Sequence, residues 1–567
     1  MSRRRPWIFF FLCLFVYNAN LRFTGSFDSL AGGRLPFRIL TGHGLTFDDP
    51  STTVPENVRY SYTKNLNGQW ICLYPILTPL ILTPLYVPAV LLERSRPYLD
   101  PRGIELAMEK LSASLVTALS VVFLFLTLRR LTSEKLATWL SAAYAFGTST
   151  WSISSQALWS HAMGELLLVL ALYWLARGAE SPVQIALLGA VAGLLAANRP
   201  TDLIFGVALA GIVVHDRGKR AWPFFLAAAS IGAILVAYNL TEFGALAGGY
   251  ARFPFPNARP FGLGRLGVSG LVGLLFSNRG IFFFSPFTLL FFFRSWRKPE
   301  PIRGLRFLLA AYLGSLFLYG LAFDWMGGYC YGPRYAIHGL PVLIVALVEP
   351  LERIWKIAVA KIAFAAAVAF SIALQAIGAF FYPNGDSGEW HHGLWTIRNS
   401  SPMLALRAGP AMPHFLFLLA PGTATRFPLP PDAEKCRLEW AAAPPSELVA
   451  GRPVTLHVRV TNLGTSRWSS VGGFFNSGGV EIQTAWRSPD RSSLLGESSS
   501  WLAWKLDPRR SLEREVHAVT PPAPGPQRLE LELEQDRMGP FPSSLCPALQ
   551  TNVRVIGAEV SSDPRRP

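Results

Sequence analysis

Long apolar runs recur along the chain from Pro6 to Tyr382, and short polar segments separate them. Runs of this kind are typical of membrane helices, because about 20 apolar residues are needed to cross a bilayer. We therefore predict a polytopic all-α membrane protein with about eleven spans. The predicted spans are residues 6–20, 106–127, 136–157, 162–176, 183–197, 200–214, 222–240, 268–293, 306–323, 336–351 and 357–381.

One further apolar run, Ile71–Leu92, decides the orientation of the spans. If it were a span, the basic segments His215–Arg220 and Arg294–Arg306 would lie on the opposite face from Arg3–Arg5. If it is not a span, all three lie inside, as the positive-inside rule requires. The run also contains prolines at positions 75, 79, 84 and 88, each of which removes a helical hydrogen-bond donor. We therefore predict that it lies on the outer face.

This orientation brings the segments rich in Gly, Trp, Tyr, His and Arg together on the outer face, whereas the inner loops are short and basic. Any chemistry is therefore expected outside. The outer segments are the first outer loop at 21–105, the turn Trp151–Glu165, the hairpin tip Ala196–Asp202, Asn239–Arg279, Phe323–Tyr335 and everything after Tyr382.

The C-terminal part has a different pattern. Stretches such as PVTLHVRVTN and QRLELELEQ alternate apolar and polar residues between turn signals, which predicts an antiparallel β-sandwich. We divide the chain into a membrane domain at 1–400, a linker at 401–431, a β domain at 432–556 and a disordered tail at 557–567. Cys436 and Cys546 bracket the β domain; whether they pair depends on the redox compartment, and the sequence leaves this open.

The composition excludes a soluble protein of this size, since 51% of the residues are hydrophobic and only 16% are charged. The net charge of +16 does not indicate nucleic-acid binding, because Lys and Arg cluster in short loops beside the spans. The cysteines lack the spacing of a metal site. We expect no nucleic acid, metal or other cofactor.

Asp28, in the stretch Leu21–Asp49 that follows the first span, is the main catalytic candidate. A carboxylate beside a membrane-lined cavity can take the proton from the acceptor nucleophile in a sugar transfer. Alternatively, Asp28 caps a helix that begins near Leu30. Asp48 and Asp49 either bind sugar hydroxyls or a cation, or form a turn.

Arginines on the outer face form a second group of candidates. The planar guanidinium binds phosphate oxygens through two hydrogen bonds and keeps its proton, so it suits a lipid-linked phosphate. The alternative is contact with lipid headgroups. The group consists of Arg34, Arg38, Arg199, Arg279 and Arg334.

His161 and Glu165 lie four residues apart and share one helix face near the outer end of a span. They either take part in function or form a local hydrogen bond with each other. The segment lacks a second histidine, so we reject a zinc site there. Further candidates for sugar contacts, which would otherwise belong to an interfacial belt or to packing, are Gln156, Trp159, Asp202, Asp324, Trp325, Tyr329 and Tyr331.

Five motifs carry a family resemblance over about residues 1–400. They are GSFDS followed by RLPFRILTGHG, STWSISSQALWSHAMGELLL, ANRPTD, SNRGIFFFSP and GGYCYGPRYAIHGLP. In this order they resemble the GT-C superfamily of membrane glycosyltransferases, nearest to the aminoarabinose and protein O-mannosyl transferases. The resemblance implies an inverting, metal-independent transfer from a polyprenyl-phosphate sugar outside the cytoplasm, with Asp28 as the acidic residue. The family often has an Asp-Glu pair where this chain has Asp28-Ser29.

The C-terminal part resembles an immunoglobulin-like sandwich of bacterial surface-glycan proteins, which implies a sugar-binding or acceptor-presenting role. We predict a glycosyltransferase of the bacterial inner membrane whose C-terminal domain is extracytoplasmic and whose acceptor is a protein, lipid or glycan. Alternatives are a glycolipid flippase, for which the sequence shows no internal repeat, and a non-catalytic scaffold. The predicted site comprises Asp28 as catalytic residue, Arg199, Arg279 and Arg334 for the donor phosphate, and Arg34, Asp48, Gln156, His161, Glu165, Asp202 and Tyr331 for substrate.

Overall fold

The computed structural model describes residues 4–50, 56–95, 101–252, 266–321, 325–328, 330–382, 395–408, 413, 415, 429–468, 479–490, 493–502, 506–535 and 538–557. The chain divides into two compact units. The helical unit comprises Met1–Leu92 and Glu105–Pro413, and the β unit comprises Glu93–Ile104 and His414–Pro567. Asp324 and Tyr329, two of the candidates for sugar contacts, lie outside the described residues.

The helices follow the apolar runs of the sequence, and each predicted span overlaps at least one of them. They are α1 Arg5–Asn18, α2 Leu30–Leu40, α3 Leu77–Leu82, α4 Val87–Ser95, α5 Pro101–Leu131, α6 Glu134–Gly147, α7 Ser160–Ala176, α8 Pro182–Asn198, α9 Leu203–Arg217, α10 Trp222–Phe243, α11 Leu266–Phe276, α12 Ile281–Phe284, α13 Leu305–Gly320, α14 Leu340–Ala346, α15 Val348–Ile354, α16 Ala358–Phe381 and α17 Ser401–Ala408.

Several of these helices have the length and composition of membrane spans. Within the described residues, four helical stretches are long and apolar enough to cross a membrane: Leu77–Ser95, Gly103–Leu131, Pro200–Arg252 and Ala358–Phe381. A fifth would combine Ser269–Phe284 with Pro286–Phe293, which are bent by 108°. The eleven-span count therefore stays a prediction. One of the four stretches, Leu77–Ser95, overlaps the run Ile71–Leu92 that we expected to lie on the outer face. A 3-10 turn at Thr83–Tyr86 interrupts this stretch.

The predicted hairpin between residues 183 and 214 is formed by α8 and α9. A capping box starts α8. The Ser181 side chain accepts a hydrogen bond from the Gln184 backbone N–H, and the Gln184 side chain accepts one from the Ser181 backbone N–H. Arg199 ends the helix in an extended conformation (φ −157°, ψ 120°), as expected for a residue that precedes proline. The side chain of Arg199 is therefore presented at the tip and not along the helix.

The first outer loop has its own small core. Strands β1 Thr46–Phe47, β2 Tyr62–Lys64 and β3 Trp70–Cys72 form a sheet in the order β1-β3-β2. Its side chains pack against α2 around the buried Ala31, Leu35, Tyr62, Cys72 and Ile76. Helix α2 is thereby fixed, and with it the short 3-10 turn Phe27–Ser29 that carries Asp28.

The β unit contains two sheets that share one core. The strands are β4 Cys436–Ala442, β5 Glu447–Val449, β6 Pro453–Asn462, β7 Val480–Arg487, β8 Leu494–Trp501, β9 Ser511–Val519, β10 Gly525–Gln535, β11 Gly539–Pro540 and β12 Leu549–Ile556. One sheet has the order β4-β6-β9, and the other β5-β12-β10-β7-β8 with β11 beside β10. The pairing is antiparallel except between β5 and β12. The predicted alternation is present in β6, where every second residue is buried.

A disulfide joins Cys436 to Cys546, which answers the question that the sequence left open. Residues of both sheets fill the core around Trp468 and Trp486, so the β-sheet prediction for this region is confirmed. The immunoglobulin-like character of the domain stays a prediction.

Candidate functional site

A cavity of about 80 Å³ is lined by residues of five of the predicted outer segments. The first outer loop contributes Asp28, the start of α7 contributes His161, the hairpin tip contributes Arg199, and the segment after α10 contributes Tyr250. Arg334 comes from the segment before α14. The remaining lining residues are Ser29, Gly32, Cys72, Tyr74, Pro75, Thr78, Pro79, Leu158, Trp159 and Ser160.

Asp28 and Arg334 form an ion pair at the wall of this cavity. Its Oδ2 accepts a hydrogen bond from Arg334 Nη1 at 2.7 Å, and its Oδ1 accepts one from the Tyr60 hydroxyl at 2.7 Å. The residue at the N-cap of α2 is Ser29, and no side chain caps the helix there. The capping alternative for Asp28 therefore does not hold, because both carboxylate oxygens bond to groups outside α2.

The Asp28 carboxylate is charged in this arrangement. Burial alone would raise its pKa, but the charge of Arg334 and the hydrogen bonds from Tyr60, Arg334 and Ser26 outweigh burial and lower the pKa below its ordinary value. The side chain of Asp28 is 25% exposed and that of Arg334 is 8% exposed. The ion pair is thus mostly shielded from water, and one edge of the carboxylate stays accessible.

Arg334 is held between aromatic rings as well as by Asp28. Its guanidinium carbon lies 5.4 Å from the Trp159 ring centre and 5.3 Å from the Tyr335 ring centre. The Trp159 indole in turn donates to Ser26 Oγ at 3.2 Å, in the same loop as Asp28. Cation–π contacts orient a guanidinium without neutralising its charge, so Asp28 is the anionic partner of Arg334 and the rings fix its orientation.

Arg199 shares one of these rings with Arg334. Its guanidinium carbon lies 5.1 Å from the Tyr319 ring and 5.4 Å from the Tyr335 ring, and these two rings stack 4.5 Å apart. No ion pair to Arg199 is found in the part of the chain that the structure describes. The cavity wall therefore carries two guanidinium groups against one carboxylate, and the excess positive charge suits an anion.

A chain of three ionisable side chains runs from the cavity wall into the protein. His161 Nδ1 lies 2.6 Å from His338 Nε2, and His338 Nδ1 lies 2.6 Å from Asp202 Oδ2. All three residues are buried. His338 was absent from our candidates, although an ionisable residue in the apolar run before α14 is a signal of function. The expected His161–Glu165 hydrogen bond is replaced by the His161–His338 contact.

Several other candidates lie away from the cavity lining. Arg279 Nη1 donates to the Cys330 carbonyl at 2.5 Å, in the segment that leads to Arg334. Arg34 pairs with Glu105 at 3.1 Å, inside the first outer loop.

Five more candidates make contacts within the protein. Arg38 and the exposed Asp48 pair at 2.9 Å. Glu165 accepts from Thr150 at 2.6 Å and Tyr144 at 3.0 Å. Gln156 accepts from Asn20 at 2.8 Å and Lys110 at 2.5 Å, and Tyr331 donates to the Leu374 carbonyl at 2.5 Å.

Two charged residues of α5 that the sequence analysis did not single out lie beneath the cavity. Glu109 Oε1 accepts from the Leu158 backbone N–H at 3.0 Å and thereby fixes the turn that carries Trp159 and His161. Lys110 is fully buried and donates to Gln156. Adjacent charges inside an apolar run were the available signal. Across the described residues, no group of three His, Cys, Asp or Glu side chains is placed to hold a metal ion.

Among the solved structures to which the chain is similar, two share little sequence with it. The chain is similar to ArnT from Cupriavidus metallidurans bound to undecaprenyl phosphate, with 12% identity, a TM-score of 0.41, and coverage of 72% of this chain and 78% of that chain. It is also similar to the DNA glycosylase AlkC from Pseudomonas fluorescens, with 11% identity, a TM-score of 0.17, and coverage of 77% and 99%. No family model and no curated protein matches the sequence. Scores this low do not establish a shared fold, so the function of this chain is inferred from its own residues.

Proposed function

We propose that the chain is a membrane glycosyltransferase that moves a sugar from a polyprenyl-phosphate donor to an acceptor on the outer face. The supporting observation is one cavity in a helical unit with apolar candidate spans, lined by a carboxylate and two guanidinium groups. A lipid-linked donor presents its phosphate at the membrane surface, and charge-assisted hydrogen bonds to arginine are suited to hold it there.

The donor phosphate would lie between Arg199 and Arg334. Arg199 makes cation–π contacts, and its N–H groups face a cavity that Tyr250 and Trp159 also line. Arg334 is bound to Asp28, so an incoming phosphate would compete with this carboxylate for the guanidinium. Arg279 would act by holding the backbone of the 330 segment from which Arg334 extends.

Asp28 would take the acceptor's proton in a single displacement. The acceptor hydroxyl or amine attacks the anomeric carbon, the bond from that carbon to the phosphate oxygen breaks, and the configuration inverts. In the present pairing the carboxylate is a weak base, because Arg334 stabilises its charged form. When the phosphate draws Arg334 away, the pKa of Asp28 rises and the carboxylate becomes a better base.

The cavity is smaller than the roughly 300–1,000 Å³ of typical ligand pockets. We therefore propose that the first outer loop moves outward when the substrates enter. The β unit would lie on the same, extracytoplasmic side of a bacterial inner membrane, since its disulfide between Cys436 and Cys546 suits an oxidising compartment.

The test is turnover of a polyprenyl-phosphate sugar by the purified protein. Asp28→Asn preserves the shape of the side chain and removes the base, so we expect the turnover rate to fall by about 10²-fold or more. The matched control is Asp507→Asn, which breaks another Asp–Arg pair, with Arg467, in the β unit and should leave the rate unchanged. Asp28→Asn turnover at the wild-type rate would contradict the assignment, and no turnover by any form would favour a flippase or scaffold.

A further inference from the structure

The chain Asp202–His338–His161 ends at the cavity wall beside the two arginines, and its geometry fixes where the protons lie. Arg199 Nη1 lies 3.5 Å from His161 Nδ1 and can only donate, so Nδ1 is the acceptor nitrogen of His161. The proton of a neutral His161 ring is then on Nε2. Both hydrogen-bond contacts of His161 with the described residues use Nδ1, which leaves Nε2–H for a molecule in the cavity.

His338 lies between two acceptors. Its Nε2 faces His161 Nδ1 and its Nδ1 faces the Asp202 carboxylate, each at 2.6 Å. His338 Nε2 therefore donates to His161 Nδ1, and one proton lies between His338 Nδ1 and the Asp202 carboxyl group. The ring is also tightly placed, because a Cβ on Gly164 of α7 would lie 2.9 Å from His338 Nδ1.

The charges around the chain favour this proton distribution. Burial lowers the pKa of His161, and the guanidinium groups of Arg199 and Arg334 on the cavity side add to this effect. On the inner side, Asp202 is the carboxylate next to His338. The other titratable groups close to the cavity end are Asp28 and the tyrosines Tyr250, Tyr319 and Tyr335.

We propose that His161 is a further catalytic residue, which gives the proton on Nε2 to the departing phosphate oxygen, and that His338 and Asp202 are positioning residues that resupply it. This inference rests on the proposed function. As the bond between the anomeric carbon and the phosphate oxygen breaks, its electron pair stays on that oxygen. The Nε2 proton of His161 moves to the oxygen, and the Nε2 proton of His338 moves to His161 Nδ1.

The protons balance over the cycle. Before transfer His338 holds a proton on Nε2, one proton lies between its Nδ1 and Asp202, and His161 holds a proton on Nε2. After transfer His161 holds its proton on Nδ1, the proton between His338 Nδ1 and Asp202 remains, the polyprenyl phosphate carries one proton more, and Asp28 carries the acceptor's proton. Release of the phosphate opens the cavity to water, with which Asp28 and the histidine chain exchange protons.

The first experiment measures kcat and the donor KM for the full-length protein in lipid nanodiscs. His161→Gln keeps an N–H donor near the position of Nε2 but cannot release a proton, so we expect kcat to fall by about 10²-fold with little change in the donor KM. Asp202→Asn keeps a hydrogen-bond acceptor for His338 Nδ1 but removes the carboxylate, so kcat should fall by about tenfold with little change in the donor KM. A purely structural role for Asp202 would raise the donor KM as much as it lowers kcat and would overturn the proposal.

The second experiment measures binding of undecaprenyl phosphate as a probe and is independent of turnover. His161→Gln keeps an N–H donor near the position of Nε2 and should bind the probe as the wild type does, whereas His161→Phe has no donor there and should weaken binding by about tenfold. Equal binding by His161→Phe and the wild type overturns the proposal while turnover can still stand. Absence of wild-type binding contradicts the proposed function and the inference together.

Discussion

At the scale of single residues, the Asp28–Arg334 pair links catalysis to donor binding. The two side chains neutralise one another at 2.7 Å while no phosphate is bound. An ion pair of this kind is a competitor for an anionic ligand as well as a structural contact. The carboxylate thus lowers the affinity of the cavity for phosphate while it awaits the acceptor.

This competition predicts a separation between binding and turnover. Removing the charge of Asp28 frees Arg334 for the phosphate. Asp28→Asn should therefore bind undecaprenyl phosphate more tightly than the wild type, by roughly 2–10-fold, since the ion pair no longer has to be broken. Isothermal titration calorimetry in nanodiscs measures this directly. Arg334→Gln is the opposing control and should weaken binding. An Asp28→Asn variant that binds the lipid phosphate more weakly than the wild type would contradict the competition.

At the scale of elements, the cavity depends on close backbone packing between the first outer loop and the 3-10 turn Gly248–Arg252 that follows α10. Gly249, beside the lining residue Tyr250, lies so close to this loop that a Cβ would be 1.8 Å from the Leu73 carbonyl oxygen. Backbone cannot move away as a flexible side chain can. A larger residue at position 249 must therefore displace Tyr250 from Tyr74, which lines the same cavity.

Gly249→Ala should accordingly destabilise the helical unit by about 1–3 kcal/mol, the usual cost of overpacking. The matched control is Gly232→Ala in α10, where an added Cβ meets nothing within 4 Å and helix propensity favours alanine. Thermal unfolding of both variants in the same detergent gives the comparison. Equal melting temperatures for the two variants would show that the loop is not packed against Gly249 as described.

The sequence predicted elements better than it predicted contacts. Apolar runs predicted the helices, and the alternation of apolar and polar residues predicted the β unit. Both signals are local, because buried positions in the sequence are occupied by apolar residues. The positive-inside rule likewise predicted the hairpin tip. The partners of Asp28 and His161 come from positions 334 and 338, and no local pattern records a contact across so long a separation. For the same reason, the sequence could not separate Arg199 and Arg334, which line the cavity, from Arg279, which does not.

At the scale of the whole molecule, the chain combines a helical unit with a β unit. The helical unit has apolar candidate spans and one cavity that joins a carboxylate, two arginines and a histidine chain. The β unit has its own core and a disulfide and needs no lipid contact to explain its folding. The residues that line the cavity all belong to the helical unit, so we assign the proposed activity to that unit.

The most direct measurement is a structure of the full-length protein in nanodiscs with undecaprenyl phosphate. We predict density for the phosphate in the cavity, within hydrogen-bond distance of Arg199 and Arg334, with the His161 ring beside it. The Asp28–Arg334 contact should lengthen from its 2.7 Å, and the first outer loop should move outward. Phosphate density at another place on the protein, with the Asp28–Arg334 pair unchanged, would contradict the account.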